Sequence, residues 1–144
     1  MKIMHIIGTL DPDAGGPPMV ATRLAAAQGS AGHEVSIVHA APHLTEQAII
    51  SLTQGVPGFR NVLVRSKPAR RALRQHMTPD HFVHLHGIWE PVLRAGGLVA
   101  SDIGAPYAVT PHGMLDPWSL RQHAFKKRLA MRLGYRRMLI HASF

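Results

Sequence analysis

The chain has no cysteine, which excludes both a disulfide-stapled fold and a thiolate metal site. It also lacks an apolar run approaching the ~18 residues that a transmembrane helix requires. The first residues become polar too early for a signal peptide. We therefore expect a cytoplasmic protein.

Acidic residues are scarce as well. The 144 residues include 16 Lys and Arg but only 8 Asp and Glu, so the formal net charge is +8. Seven of the basic residues and no acidic residue lie in the segment 118–137. An excess of this size favours an anionic partner, which can be nucleic acid, a phosphorylated ligand or an acidic membrane surface.

Short apolar segments alternate with helical patterns along the chain. Strands are predicted at 2–7, 34–39, 61–65, 81–85, 106–110 and 138–142. Helices are predicted at 17–28, 46–52, 68–76, 91–101 and 117–136. This alternation predicts an α/β fold over residues 1–144, a single Rossmann-like domain with a doubly wound parallel sheet.

Ligands of such sheets bind beyond the carboxyl ends of the strands, where the strand order reverses. With the order 3-2-1-4-5, the reversal lies between the first and fourth strands. Three loops with unusual residues would then meet there: residues 8–16, 86–91 and 111–118.

The first of these loops carries Gly15 and Gly16 at the start of a helix. It does not match G-x-G-x-x-G, and no acidic residue follows the second strand, so a nicotinamide or flavin site is not supported. The glycines favour either close backbone approach to a phosphate or a simple flexible turn.

The second loop begins with His84 and His86, which share one face of a strand. With His112 they have the residue types of a zinc site, but His84 and His86 are also typical of a hydrogen-bonded core and a strand end. Trp89 and Glu90 follow. They suit stacking on a sugar and hydrogen bonding to its hydroxyls, or covering the core and capping the next helix.

The third loop, within TPHGML, places His112 at the end of the fifth strand, and Gly113 permits the turn. Asp116 and Pro117 predict a helix start. A neutral histidine at this corner can donate to a ligand hydroxyl or polarise it.

The predicted helix 117–136 has Phe125, Leu129 and Leu133 at four-residue spacing. Its basic residues fall largely outside that stripe. They favour a solvated face first and an anionic membrane patch second, and no motif for nucleic acid accompanies them. The candidate patch comprises Lys126, Lys127, Arg128 and Arg132.

The segments HIIGTLDPDAGGPP, HLHGIWEP and APYAVTPHGMLDPWSL resemble the N-terminal half of retaining glycosyltransferases of family 4. These enzymes have the GT-B architecture of two Rossmann-like domains, and the most similar members synthesise bacterial cell-surface polysaccharides. The resemblance implies transfer from a nucleotide sugar to a glycan or lipid-linked acceptor, without a metal or other cofactor.

The resemblance also implies roles for individual residues. Gly15 and Gly16 would approach the donor diphosphate, and His112 would contact the donor sugar as the catalytic residue. His86, Trp89 and Glu90 would line the acceptor side of the cleft. Stabilisation of the reacting centre would be electrostatic.

The E-x7-E motif of the family's donor-binding C-terminal domain has no counterpart among Glu34, Glu46 and Glu90. We therefore expect that the donor domain is absent from this 144-residue chain, that the chain alone is inactive, and that it self-associates through uncovered surface. Peripheral contact with the inner membrane face is expected, and nucleic acid is not. The alternative is a Rossmann-like module that binds a glycan or an anion, including a nucleotide, without catalysis.

Overall fold

The computed structural model describes residues 1–40, 60–63 and 69–143, with residues 60–63 described by their backbone alone. These segments form a five-stranded sheet with the order β3-β2-β1-β4-β5. The strands are β1 (Lys2–Ile7), β2 (Glu34–His39), β3 (Arg60–Leu63), β4 (His81–His86) and β5 (Tyr107–Thr110). All neighbouring strands pair in parallel. The predicted fold class and strand order are therefore confirmed.

Six helices follow or connect the strands within the described residues. They are α1 (Gly16–Ser30), α2 (Ala69–His76), α3 (Pro91–Ile103), α4 (Pro117–Arg121), α5 (Ala124–Ala130) and α6 (Arg136–Ile140). A short 3-10 turn, Pro12–Ala14, precedes α1. Among the described residues, no helix has the length and apolar character needed to cross a membrane. The predicted helix 46–52 and the end of the predicted strand 61–65 lie outside the described residues.

The central strand β1 is buried from Ile3 to Ile7 because helices cover both faces of the sheet. Its register aligns His5 with His84, and Ile7 with His86, on β4. On the other edge of β4, His86 pairs with Thr110 of β5. The carboxyl ends of β1, β4 and β5 therefore lie side by side.

Helix α3 packs unusually closely on the sheet because it carries two adjacent glycines. A Cβ at Gly96 would lie 2.6 Å from Cδ1 of Ile6, and one at Gly97 would overlap Met138 of α6. Side chains at these positions would push the helix away from both elements. The close approach holds β1, β4, α3 and α6 in one core.

The predicted long helix 117–136 is wrong, because two breaks divide it. His123 has φ of 53° between α4 and α5, and Gly134 has φ of 102° in the turn between α5 and α6. The break at Gly134 frees the carbonyl of Leu133, which accepts a hydrogen bond from Nη1 of Arg94 at 2.8 Å. Glycine adopts this backbone conformation without the steric cost that a side chain would add.

The predicted sixth strand at 138–142 is also wrong, since most of that segment belongs to α6. In a strand, Met138 and Ile140 would share one face. Instead Met138 is fully buried while Ile140 is exposed. The hydroxyl of Tyr107 donates to the Met138 carbonyl at 2.6 Å, which anchors this helix to the end of the sheet.

Candidate functional site

Three loops meet at the carboxyl edge of the sheet, as the strand order predicts. They enclose a cavity of about 100 Å³. The lining residues come from the ends of β1 and β4, from the first turn of α1 and from the loops after β1, β4 and β5: Ile7, His86, Pro17, Pro18, Thr9, Ala14, Glu90 and Met114. We call this cavity the crevice.

His112 does not line the crevice itself but contacts His86, which does, and its backbone conformation is uncommon. Its φ is 49° and that of Gly113 is 76°, so two consecutive residues lie in the left-handed region. This conformation is strained for a histidine, and strain of this kind concentrates at functional sites. Nε2 of the half-buried His112 lies 3.2 Å from Nδ1 of His86. Burial lowers the pKa of His112, which favours the neutral ring.

His86 is buried and contacts a second histidine behind it. Its Nε2 lies 2.9 Å from Nδ1 of His5, and Nε2 of His5 lies 2.7 Å from Oε1 of Gln28 on α1. Burial lowers the pKa of His5 to about 4 and that of His86 to about 2. Both rings are therefore neutral at pH 7, as their lack of compensating carboxylates requires.

His84 is a half-buried histidine held by a hydrogen bond, because its Nε2 lies 2.7 Å from Oγ1 of Thr110. One nitrogen from each of His5, His84 and His86 falls within 4.8 Å of the others, a spacing compatible with a metal ion. However, both ring nitrogens of His5 and of His86 already have hydrogen-bond partners. A metal at this cluster would have to displace some of these bonds.

Glu90 occupies the N-cap position of α3 without forming a side-chain cap. Its carboxylate instead accepts a hydrogen bond from the backbone N–H of Gly8. Its Oε2 atom is buried and has no hydrogen-bond partner among the described residues. Burial raises the pKa of this carboxyl group. Glu90 therefore offers an acceptor atom beside the crevice.

Trp89 faces away from the crevice and packs against the core. Its Nε1 donates to the carbonyl of Met114 at 3.4 Å, and its ring lies 6.0 Å from that of Tyr135. The Lys127 ammonium lies 5.5 Å from the indole centroid and donates to the Ser119 carbonyl at 2.5 Å. Trp89 thus covers the core and also lines a separate groove of about 410 Å³ between α4 and α5.

Gly15 and Gly16 are exposed next to the crevice but do not line it. A Cβ at Gly16 would meet no atom within 4 Å, so close packing does not require glycine there. Pro17 and Pro18 lack N–H groups, which leaves few backbone donors in the first turn of α1. Gly15 has φ of 102°, a value that favours glycine.

The basic patch lies on and just after α5. Lys126, Arg128 and Arg132 are exposed, whereas Lys127 is half-buried against Trp89. The apolar stripe is not covered by the rest of the domain, because Phe125, Leu129 and Leu133 are 80%, 50% and 58% exposed.

Three residues of the site escaped the sequence interpretation: His5, Gln28 and Gly8. His5 and Gln28 come from a central strand and from the helix that crosses its face, so only the tertiary packing brings them together. The pairing of β1 with β4 was the available signal for His5, since it places this residue beside His84. Gly8 contacts Glu90 across more than 80 residues, and no local motif indicates that pairing.

Comparison with protein families gives a match to the glycosyl transferase 4-like domain over residues 15–144. The match includes α1, the loop after β4 and the His112 corner. Comparison with curated proteins and with solved structures gave no match. Because the family match spans nearly all of the sequence, the chain belongs to the glycosyl transferase 4-like domain family.

Proposed function

We propose that this domain provides the acceptor side and the catalytic histidine of a retaining glycosyltransferase that uses a nucleotide sugar. The observation that carries the proposal is the contact between His86 and His112, beside Glu90, at the carboxyl edge of the sheet. A buried, neutral and directional set of polar groups suits the hydroxyls of a sugar better than it suits a charged ligand.

His112 is the proposed catalytic residue because its strained backbone places a ring with a lowered pKa beside His86, which lines the crevice. Glu90 is the proposed acceptor ligand, since its Oε2 atom can accept a hydrogen bond from a sugar hydroxyl. His86 supports His112 through their 3.2 Å contact and lines the crevice together with Glu90. Trp89 would contact the acceptor only where it extends into the neighbouring groove.

The donor would be held mainly by a second Rossmann-like domain, as the resemblance implies. Gly15 and Gly16 would contribute backbone donors to its diphosphate, although the two prolines restrict their number. Electrostatic stabilisation would then act on the departing diphosphate, and no metal or other cofactor is included in the proposal. Synthesis of bacterial cell-surface polysaccharide is the proposed pathway class.

We further propose that the domain works at the cytoplasmic face of an anionic membrane. Three exposed basic side chains, Lys126, Arg128 and Arg132, lie on the segment whose apolar stripe is also exposed. Positive charge beside apolar side chains is the combination that binds anionic bilayers. We also propose self-association through uncovered apolar surface, to which the same stripe contributes, and we include no nucleic-acid partner.

The proposal is tested by titrating the isotopically labelled chain and recording amide NMR spectra. With a panel of mono- and disaccharides, we expect shifts around Gly8, around 86–90 and around 112–114. With nucleotide sugars, calorimetry should show little heat and the chain should transfer no sugar. Saccharide-induced shifts confined to other regions would contradict the acceptor role, and a tight isotherm with a nucleotide sugar would place a donor site in this domain.

A further inference from the structure

A continuous line of side-chain contacts connects helix α1 with the crevice. It runs from Gln28 through His5 and His86 to His112, with separations of 2.7, 2.9 and 3.2 Å between the contacting atoms. His5 and His86 are 0% and 1% exposed. Bulk water therefore has little access to the two central rings.

The direction of each hydrogen bond follows from the orientation of the Gln28 amide, which turns its oxygen and not its NH2 group towards His5. An amide oxygen can only accept, so Nε2–H of His5 donates to Oε1 of Gln28. A neutral imidazole carries one proton, which leaves Nδ1 of His5 as an acceptor. That atom faces Nε2 of His86, which must therefore carry the proton of the second ring.

The same reasoning extends to the crevice. Protonation of His86 at Nε2 leaves its Nδ1 as an acceptor, and the atom facing it is Nε2 of His112. His112 must then be protonated at Nε2, and its Nδ1 carries a lone pair. A reversed order of protons would require a donor towards His5 at position 28, which the Gln28 amide would supply only if it turned its NH2 group to this ring.

We propose that Gln28, His5 and His86 are positioning residues that fix the tautomer of His112, so that its Nδ1 accepts a hydrogen bond from a ligand hydroxyl. His112 then accepts a hydrogen bond from the sugar. Its position alone would also allow it to donate one. The role assigned to the ligand rests on the proposed function, whereas the tautomer is a property of the isolated domain.

The strained backbone of His112 is consistent with this role. The φ of 49° sets the direction in which the His112 side chain leaves the backbone. The hydrogen bond to His86 then holds the ring in one orientation. Preorganisation of this kind lowers the cost of aligning a catalytic group.

The test uses NMR of the full chain with ¹⁵N-labelled histidine rings near pH 7.5. His112 is assigned by the signal that disappears in His112→Gln. We expect His112 to be protonated at Nε2, together with couplings between the ring nitrogens across the His5–His86 and His86–His112 bonds. A His112 protonated at Nδ1, or the absence of both couplings in a folded chain, would overturn the proposal.

Two variants at Gln28 provide a matched comparison at a half-buried helix position. Gln28→Glu retains an acceptor and should leave the His112 tautomer unchanged. Gln28→Lys introduces a donor. It should exchange donor and acceptor in each hydrogen bond from position 28 to His112, which moves the His112 proton to Nδ1. Identical His112 tautomers in the two variants would overturn the proposal, because the residue at position 28 would then not determine the tautomer of His112.

The last measurement is a zinc titration of the same labelled chain. The histidine chain predicts that one equivalent of zinc leaves the ring-nitrogen signals of the wild-type chain unchanged. Zinc-induced shifts of His5, His84 and His86 together would identify a metal site and overturn the proposal. None of these readouts depends on sugar transfer, so a failure here is distinguishable from a failure of the proposed glycosyltransferase function.

Discussion

The carboxylate of Glu90 lies directly over Gly8, whose backbone N–H donates a hydrogen bond to it. A Cβ at position 8 would overlap the carboxylate carbon and its oxygens. A side chain at position 8 would therefore have to move the Glu90 carboxylate away from the end of β1. This contact sets one wall of the crevice.

Gly8→Ala should consequently destabilise the domain. The added methyl group must displace the Glu90 carboxylate from a buried site and break its bond to the Gly8 N–H. Overpacking of this kind costs about 1–3 kcal/mol of unfolding free energy, and denaturant unfolding measures it.

Gly16→Ala is the matched control, because a Cβ there would meet no atom within 4 Å and the backbone needs no positive φ. Its effect should stay within about 0.5 kcal/mol. An equal loss of stability in the two variants would show that Gly8 is not distinguished by its contact with Glu90.

The buried histidines predict that acid destabilises the domain. Folding lowers the pKa of His5 to about 4 and that of His86 to about 2, against an ordinary value of 6.5. Below pH 6.5 the unfolded chain therefore binds protons that the folded chain does not, and stability falls as the pH falls. Each such histidine contributes a slope of up to about 1.4 kcal/mol per pH unit.

Urea unfolding between pH 7.5 and pH 4.5 measures this slope. Glu90 has a raised pKa and contributes with the opposite sign, whereas Asp80, whose pKa is lowered to about 2, acts mainly below pH 4. His5→Gln should reduce the slope, and the exposed-site control His76→Gln should retain it. A flat profile from pH 7.5 to 4.5 in the wild-type chain would contradict the assignment of His5 and His86 as neutral buried rings.

Binding to anionic vesicles should depend on the exposed basic residues. Each such residue near an anionic surface contributes about 1 kcal/mol, so replacing Lys126, Arg128 and Arg132 with glutamate should weaken binding by about a hundredfold or more. Co-sedimentation across a salt series should show binding that fades as salt rises.

Arg23→Glu with Arg71→Glu is the control, since both arginines are exposed on helices away from the patch. These changes should have a smaller effect. Salt-insensitive binding, or an equal loss of binding in the control, would contradict the role of the basic residues. Dimers that persist without vesicles are expected in addition, because Phe125, Leu129 and Leu133 are exposed.

The parallel sheet is predictable from β/α alternation, whereas the convergence of the loops follows only with the common strand order 3-2-1-4-5, which the structure has. Parallel strands end at the same edge, so the proximity of His86 and His112 follows once β4 and β5 are adjacent. The orientations of the Trp89 and Glu90 side chains could not be predicted from the sequence. Both residues come from one loop, yet tertiary packing directs them to different cavities.

The chain after β5 was the least predictable region. Its helix-forming composition predicts one long helix, but local backbone conformations at His123 and Gly134 divide it. Gly134 was a visible signal for a break, whereas His123 gave none. The apolar residues 138–140 fit either a strand or a helix. They form a helix in which Met138 packs against Gly97 and accepts a hydrogen bond from Tyr107.

The central claim is that His112 acts on the sugar, and its replacement in the proposed two-domain glycosyltransferase tests it most directly. The control is His123→Ala, because His123 also has a positive φ but is exposed away from the crevice. We predict that His112→Ala lowers kcat by on the order of 10²-fold or more with nearly unchanged thermal stability, while His123→Ala retains wild-type turnover. Wild-type turnover in His112→Ala would contradict the account and make His112 a turn residue only.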